Sequence, residues 1–184
     1  MYEACEYGDV TEVREILRKN PALDVNWWNQ NENKYTSLHI ACVNGHDPIV
    51  AILLAHPAID VNMKSSSGNT PFLWAFYNGR TSCVRLLLLD SRVRVNEPGI
   101  IGVLTVIFAG NGLSPLWYAA TNGRLEAIRW WVASGRETEM VQPEVIAAAK
   151  KEGKAEVATL LERVRGDPEK TRNEVRRELG LAGA

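Results

Sequence analysis

An internal repeat constrains this chain more than any other feature of its sequence. The segment TSLHIACVNGHDPIVAILLAHPAIDVN (36–62) aligns without gaps with TPFLWAFYNGRTSCVRLLLLDSRVRVN (70–96). In both copies a Thr opens the segment, an Ala follows five residues later, a Gly four residues after that, and Val-Asn closes it. A third copy begins over 114–135, and partial copies lie at 2–26 and 143–164. Units this short cannot bury an apolar face alone, so the sequence predicts that they stack.

Each unit is predicted to be a pair of helices. Thr70-Pro71 and Ser114-Pro115 suit a helix that begins with a hydroxyl cap and a proline at its first position. Asn-Gly pairs, as at 44–45, suit the end of that helix, because glycine tolerates the left-handed backbone needed there. An aliphatic cluster then predicts a second helix. The fold class is therefore all-α.

The repeat has the features of a known family. Its landmark glycines are Gly8, Gly45, Gly79, Gly123 and Gly153. A period near 33 residues headed by T-P-L-H-x-A is typical of ankyrin repeats, and the chain resembles an ankyrin-repeat protein along residues 2–164. The resemblance implies a solenoid of helix-turn-helix units with projecting β-turn or hairpin loops. The expected repeats are about 2–26, 27–62, 63–96, 97–135 and 136–164, followed by a charged tail, 165–184, with a short helix.

The projecting turns differ in length. The regular turn, from Val61 to Thr70, is nine residues long, the turn before it has two extra residues, and the turn after it has ten. The apolar stretch PGIIGVLTVIFAG (98–110) is thus an insertion at the tip of a turn. Three interpretations remain open. It is an apolar finger that docks a partner, it folds back or is disordered, or it is a translated intron that does not belong to the natural product.

The residues that could carry chemistry have structural interpretations. His39 and Cys42 lie three apart on one predicted helix, but His39 occupies the T-P-L-H position. The resemblance implies that its imidazole hydrogen-bonds the backbone of a neighbouring turn. The corresponding residues in the next copies are Leu73 and Trp117, which argues against a repeated histidine chemistry. The three cysteines have no metal-ligand spacing and are typical of buried thiols in a reducing compartment. We therefore expect no catalytic residue, cofactor or metal.

The positions of the tryptophans in the repeat predict which of them are buried in the core and which are exposed. Trp130 and Trp131 align within one residue of leucines in the second helices, so they are predicted, with Trp117, to be core. Trp74 suits either core or surface. The adjacent pair Trp27-Trp28 lies in the lengthened turn and is predicted to be exposed.

Net charge and hydropathy limit the classes of partner that the chain can bind. The net charge is −1, with no basic stripe that would favour nucleic acid. The longest nearly apolar stretch, 100–109, is shorter than the roughly 20 residues that a membrane helix needs. We expect a monomer in the cytoplasm, with the nucleus as a second location, that binds neither nucleic acid nor membrane.

The predicted function is a non-catalytic module that binds an unidentified protein partner. The resemblance implies that contacts concentrate on the concave face formed by the projecting turns and the inner-helix ends. The candidate contacts are Tyr7, Trp27, Trp28, Asn31, Asn33, Lys34, Tyr35, Val43, Asn44, Met63, Lys64, Ser66, Asn69, Tyr77, Asn78, Leu113, Thr121 and Asn122. Aromatic anchors with adaptable polar groups are typical of recognition surfaces. For Asn44, Asn78 and Asn122, helix capping is an equally good interpretation. The alternative functions are a regulatory or adaptor subunit of an enzyme complex, or an enzyme.

Overall fold

The computed structural model describes residues 1–101, 113–138 and 141–181. Within these ranges the chain forms eleven helices and one two-stranded ribbon. The helices are α1 (Tyr2–Tyr7), α2 (Val10–Lys19), α3 (Ser37–Asn44), α4 (Asp47–Leu54), α5 (Pro71–Asn78), α6 (Thr81–Leu89), α7 (Pro115–Thr121), α8 (Leu125–Ser134), α9 (Pro143–Lys151), α10 (Ala155–Gly166) and α11 (Pro168–Glu178). The strands are β1 (Trp28–Asn29) and β2 (Tyr35–Thr36), which pair antiparallel.

The first ten helices form two parallel rows. The odd-numbered helices from α1 to α9 pack one on the next as an inner row, and the even-numbered helices from α2 to α10 pack as an outer row. Each inner helix also packs on the outer helix that follows it. The prediction of an all-α stack of helix pairs is therefore confirmed.

Local sequence explains where the inner helices begin and end. The hydroxyls of Thr36, Thr70 and Ser114 accept the backbone N–H three residues on, at 3.2–3.3 Å. Gly45 and Gly79 end α3 and α5 with φ of 84° and 67°, the left-handed region that a side chain would strain.

The core runs between the two rows rather than around one centre. Phe72, Leu53 and Ile128 are among its largest fully buried side chains. Trp131 is also fully buried, as predicted, whereas Trp130 is only half-buried against the core. The two rows therefore share one continuous apolar seam.

Basic residues tie three of the inner helices to the next unit. The residue after Gly45, Gly79 or Gly123 donates to one of the last free carbonyls of the preceding inner helix. His46, Arg80 and Arg124 make these bonds at 3.0, 3.0 and 2.8 Å to the carbonyl oxygens of Glu6, Val43 and Tyr77. Because these bonds cross between units, they fix the register of the stack as well as capping helices.

The closing Val-Asn pairs form a second ladder. The Asn26 amide donates to Ala58 O and accepts from Asp60 N, both at 2.8 Å. Asn62 makes the same two bonds to the next unit, also at 2.8 Å. A residue that satisfies one donor and one acceptor of its neighbour explains why each of these units closes on asparagine.

The projecting turns share one paired base. Asn29 pairs with Tyr35 in the ribbon, Ser65 N donates to Asn69 O at 3.0 Å, and Gly99 bridges Leu113 with bonds of 3.1 and 2.9 Å. These pairs occupy equivalent positions in the repeat, so the base of each turn falls at the same place whatever the length of the turn. Residues 102–112 lie outside the described part of the chain, and with them most of the 98–110 stretch, so its three interpretations stay open.

The tail helix α11 lies against the outer row. Asp167 caps it by accepting Lys170 N at 3.0 Å, and Gly180 follows its end with φ of 72°. Val175 is buried where α11 meets α8 and α10. The helix therefore covers the outer side of two units rather than the last unit alone. None of the described helices combines the length and apolar character needed to cross a membrane.

Candidate protein-binding face

The candidate site follows the projecting turns and the exposed side of the inner helices, and we call it the binding face. Three large aromatic side chains stand out from it. Tyr7 is 80% exposed, Trp27 53% and Trp28 39%. Large exposed aromatics are uncommon on a solvated surface and frequent at interface anchors. The predicted exposure of Trp27 and Trp28 is confirmed.

The lengthened turn is held by the first unit through Trp27 and Glu32, whereas Trp28 pairs with Thr36 in the ribbon. Trp27 meets the edge of the Tyr2 ring with centroids 6.4 Å apart. The Tyr2 hydroxyl donates to Glu32 Oε2 at 2.5 Å, which links α1 to the lengthened turn. Burial and this carboxylate raise the pKa of Tyr2, so it remains a donor. The turn is therefore positioned by contacts made before any partner arrives.

A row of aromatic rings continues the face across three units. Its members touch edge to face, the geometry that aromatic pairs prefer. Tyr35 lies 5.7 Å from Trp74, Trp74 5.8 Å from Tyr77, and Tyr77 5.9 Å from Tyr118. Trp117 closes the row 5.6 Å from Tyr118. Tyr118 is buried, whereas the other four rings are half-buried, so the row offers ring faces held in place by their neighbours.

The polar residues of the turns are exposed, and some of them already form hydrogen bonds or ion pairs within the chain. Asn33 and Lys34 have φ of 51° and 56°, which turn the chain sharply, and Asn33 O accepts Ser66 N at 2.8 Å. Lys64 pairs with Glu97 at 2.5 Å. Asn31, Asn33 and Lys34 remain exposed and Met63 half-buried. These side chains can make adaptable polar contacts around the aromatic anchors.

The inner-helix ends are occupied by bonds within the stack. The side-chain amide of Asn44 donates to Glu6 O at 2.9 Å, across the junction between units. Asn78 and Asn122 donate to carbonyls of their own helices at 3.0 and 2.8 Å, and Thr121 does so at 3.0 Å. These bonds support the capping interpretation of the three asparagines, because each amide nitrogen already donates a hydrogen bond to a helix carbonyl. Val43 is half-buried against the core beside them.

Asn69 does not belong to the surface. It is 2% exposed, its amide nitrogen donates to Ile100 O at 2.9 Å, and its backbone N–H bonds Ser65 Oγ at 3.2 Å. The prediction that it contacts a partner is wrong, because the paired base of the turn buries the residue that precedes the Thr70 cap. Leu113, at the equivalent position, is half-buried and remains a candidate.

His39 is a structural residue. Its Nδ1 accepts Thr36 N at 3.2 Å within a capping box, and its Nε2 donates to Asn69 O at 3.0 Å. Burial lowers the pKa of His39 to about 4, so the ring is neutral near pH 7. The predicted bond to a neighbouring turn is confirmed.

The nearby thiols are poorly suited to nucleophilic chemistry. Cys42 and Cys83 are both 0% exposed, and burial raises the pKa of Cys83 to about 12 and that of Cys42 well above its usual range. A thiol acts as a nucleophile through its thiolate, which this environment disfavours. In the described part of the chain, no group of His, Cys, Asp and Glu side chains could hold a metal ion.

Comparison with known proteins agrees with this geometry. The family model for ankyrin repeats matches residues 1–99 with three copies. The chain belongs to the ankyrin-repeat family. Ankyrin repeats are a fold that binds proteins and is typically non-catalytic. The helix pairs formed by α7 to α10 continue the same two rows beyond the matched range.

The ankyrin-repeat relatives are much longer proteins. The chain is 34% identical over 102 residues to the bovine SMC5-SMC6 complex localization factor protein 1, covering 55% of this chain and 9% of that protein. It is 33% identical over 92 residues to the human photoreceptor ankyrin repeat protein, covering 48% and 19%. It is 30% identical over 129 residues to the E3 ubiquitin-protein ligase XBAT33 of Arabidopsis thaliana, covering 70% and 23%. The chain therefore spans less than a quarter of the length of each.

Sequence reasoning missed part of this ankyrin face. Trp74 and Tyr118 stand at equivalent places in successive units, yet neither was a candidate contact. The signal was present, because Trp74 and Tyr77 are three residues apart and share one side of a helix. What the sequence did not show is that the rings of neighbouring units touch.

Proposed function

We propose that this chain is a non-catalytic ankyrin-repeat module that recognises a protein partner on the binding face. One observation carries the proposal: Trp27 and Trp28 are exposed beside an aromatic row that spans three units. Exposed aromatics held by their neighbours lose little conformational freedom on binding, so they are efficient anchors. The proposed contacts are the candidates named from the sequence without Asn69, together with Trp74.

We further propose that the repeat array comprises residues 2–164, followed by the tail, 165–184, whose helix α11 covers the outer side of the array. Two of the longer relatives are named as a complex localization factor and a ubiquitin ligase. These names fit a chain that supplies recognition within a larger assembly, in the cytoplasm or nucleus. We propose that the chain itself is a monomer and that it binds neither nucleic acid nor membrane.

The test compares cross-linking from two sides of the molecule. A photoreactive p-benzoylphenylalanine replaces Trp28 on the binding face or Thr159 on the exposed side of α10, and each protein is irradiated in a lysate of the source cell. We expect a protein that is captured from position 28 and absent from position 159. Equal capture from both positions would contradict the proposal.

Affinity for the captured protein gives the second measurement. Trp27→Ala and Trp28→Ala are each expected to weaken binding by at least about 1 kcal/mol, the cost of losing an anchor. Arg14→Ala, an exposed change on α2, is the matched control and leaves affinity unchanged. The tryptophan variants should keep their melting temperatures, because both side chains are exposed. A large drop in melting temperature with intact affinity would place both residues in a structural role.

A further inference from the structure

The outer side of the stack carries an apolar cleft that the repeat does not require. It lies where α6 meets α8 and the end of α11, and its volume is about 270 Å³. Its lining includes Arg85, Leu88, Leu89, Trp130, Ala133 and Leu181. Leu89 is 84% exposed, the largest value among the exposed large apolar side chains of the described residues. We call this surface the α6 cleft.

The neighbouring units show that Leu89 is not needed for stacking. The same repeat position holds Ala55 in the preceding unit and Ala133 in the next. Both neighbours pack into the two rows with a methyl group there. A leucine that is mostly in water costs hydration free energy without adding core. Because Leu89 lines one cleft with Leu88, Trp130 and Leu181, it belongs to an apolar patch rather than being a lone exposed side chain.

Arg85 supplies a cation at the edge of the cleft. Its guanidinium carbon lies 4.1 Å above the centre of the Trp130 ring, which holds the flat group in a fixed orientation. Within residues 1–101, 113–138 and 141–181, no carboxylate pairs with it. The cleft thus presents apolar surface beside an oriented positive charge.

The next unit shows how the chain itself covers such a surface. Arg129 of α8 occupies the repeat position of Arg85, and it pairs with Glu178 of α11 at 2.9 Å. Three residues earlier in α11, Val175 is 1% exposed against the same outer helices. Residues three apart lie on one face of a helix. An aliphatic side chain and a carboxylate on one helical face therefore already cover α8.

We propose that the α6 cleft is a second docking surface, and that its partner is an amphipathic helix bearing an aliphatic residue followed three residues later by a carboxylate. The aliphatic side chain packs on Leu88, Leu89 and Trp130, and the carboxylate pairs with Arg85. This arrangement repeats on α6 the contacts that α11 makes on α8. It does not depend on the binding face, so the two surfaces can be tested separately.

The test uses a peptide made from the tail helix. The probe is the sequence of residues 167–181 with Arg172→Gln, Arg176→Gln and Arg177→Gln, labelled with fluorescein and stapled on the face away from Val175. Fluorescence anisotropy measures its binding to the full chain. We expect saturable binding that Leu89→Ala and Arg85→Ala each weaken by at least fivefold. A probe that also carries Val175→Asn and Glu178→Gln is expected not to bind.

Control variants separate the other outcomes. Leu89→Ala restores the residue of the neighbouring units, so it should fold, and Trp28→Ala should bind the probe like the unchanged chain. Binding lost in Arg129→Ala but kept in Arg85→Ala would mean that the probe displaces α11, which overturns the proposal. Sedimentation that shows a dimer abolished by Leu89→Ala would assign the cleft to a second copy of this chain. Affinity unchanged in both cleft variants would also overturn it.

Discussion

Two projecting turns of this molecule start from equivalent pairs and differ in what lies beyond them. The short turn places three residues, 66–68, between Ser65 and Asn69, and the long turn places thirteen, 100–112, between Gly99 and Leu113. Ser65 N–Asn69 O and Gly99 N–Leu113 O measure 3.0 and 3.1 Å, so this bond of the base is the same in both. The stack therefore specifies where a turn begins and ends but not its length.

The groups that anchor the two bases are different. His39 reaches forward from α3 and donates to Asn69 O at 3.0 Å. Leu73 stands at the equivalent place in α5 and has no polar group to offer. Instead the Tyr118 hydroxyl of α7 donates to Gly99 O at 3.1 Å and accepts Ile101 N at 2.9 Å. One turn is held by the inner helix that precedes it and the other by the inner helix that follows it.

The long turn, which is anchored by Tyr118, also depends on the glycine at position 99. A Cβ there would lie 2.2 Å from Asn69 Oδ1 and 2.7 Å from Leu73 Cδ1. Such contacts are too close for a side chain, so a Cβ at residue 99 would force the side chains of Asn69 and Leu73 to shift.

Of the changes to these two turns, replacing His39 with leucine should lower the free energy of unfolding the most. His39→Leu copies the residue of the next unit but leaves Thr36 N without its partner and removes the bond to Asn69 O. We expect a loss of about 3 kcal/mol in the free energy of unfolding at pH 7, from a buried unsatisfied donor and a lost cap. Urea denaturation measures it. His56→Leu, the same change in a half-exposed loop, should cost less than about 1 kcal/mol. Equal losses in the two variants would show that His39 is not an anchor.

The pH dependence of stability provides a second test of the His39 anchor. The pKa of His39 is about 4 in the folded chain, below its ordinary value of 6.5, so the unfolded chain binds more protons between those values. The contribution of neutral His39 is present above pH 6.5 and is lost as the pH falls towards 4. The difference in unfolding free energy between the unchanged chain and His39→Leu should therefore shrink by up to about 3 kcal/mol over that range. A difference that stays constant with pH would contradict the buried, neutral assignment.

The sequence predicted the parts of this comparison that depend on spacing. Gapless alignment located both extra lengths, because the paired base falls at a fixed distance from the cap of the next helix. The resemblance to ankyrin repeats correctly implied the bond made by His39. The role of Tyr118 could not be predicted, because it depends on a hydroxyl that reaches a turn 19 residues away along the chain. The burial of Asn69 could not be predicted for a similar reason, because its neighbours in space come from the next turn.

Tyr118→Phe tests the second anchor with a smaller expected effect. The variant keeps the ring in the aromatic row and removes only the hydroxyl, which donates to one backbone group and accepts from another. We expect a loss of about 1 to 2 kcal/mol in unfolding free energy, the usual cost of removing a hydrogen-bond partner from a buried backbone group such as Gly99 O. Tyr77→Phe changes a half-buried ring of the same row and should cost less than about 0.5 kcal/mol. A Tyr118→Phe variant as stable as Tyr77→Phe would mean that the long turn needs no anchor from α7.

Deleting residues 102–111 should have the smallest effect, and it addresses the interpretations of the insertion. The deletion leaves three residues between Gly99 and Leu113, as in the short turn, and keeps Ile101 and its bond to Tyr118. Shortening the loop lowers the entropic cost of closing it, so we expect a gain of up to about 1 kcal/mol in unfolding free energy. A loss larger than that would show that the deleted residues fold back onto the stack. Affinity for a protein captured at position 28 should not change. A weaker complex would instead support the docking finger, and the long turn would then differ from the short one in function as well as in length.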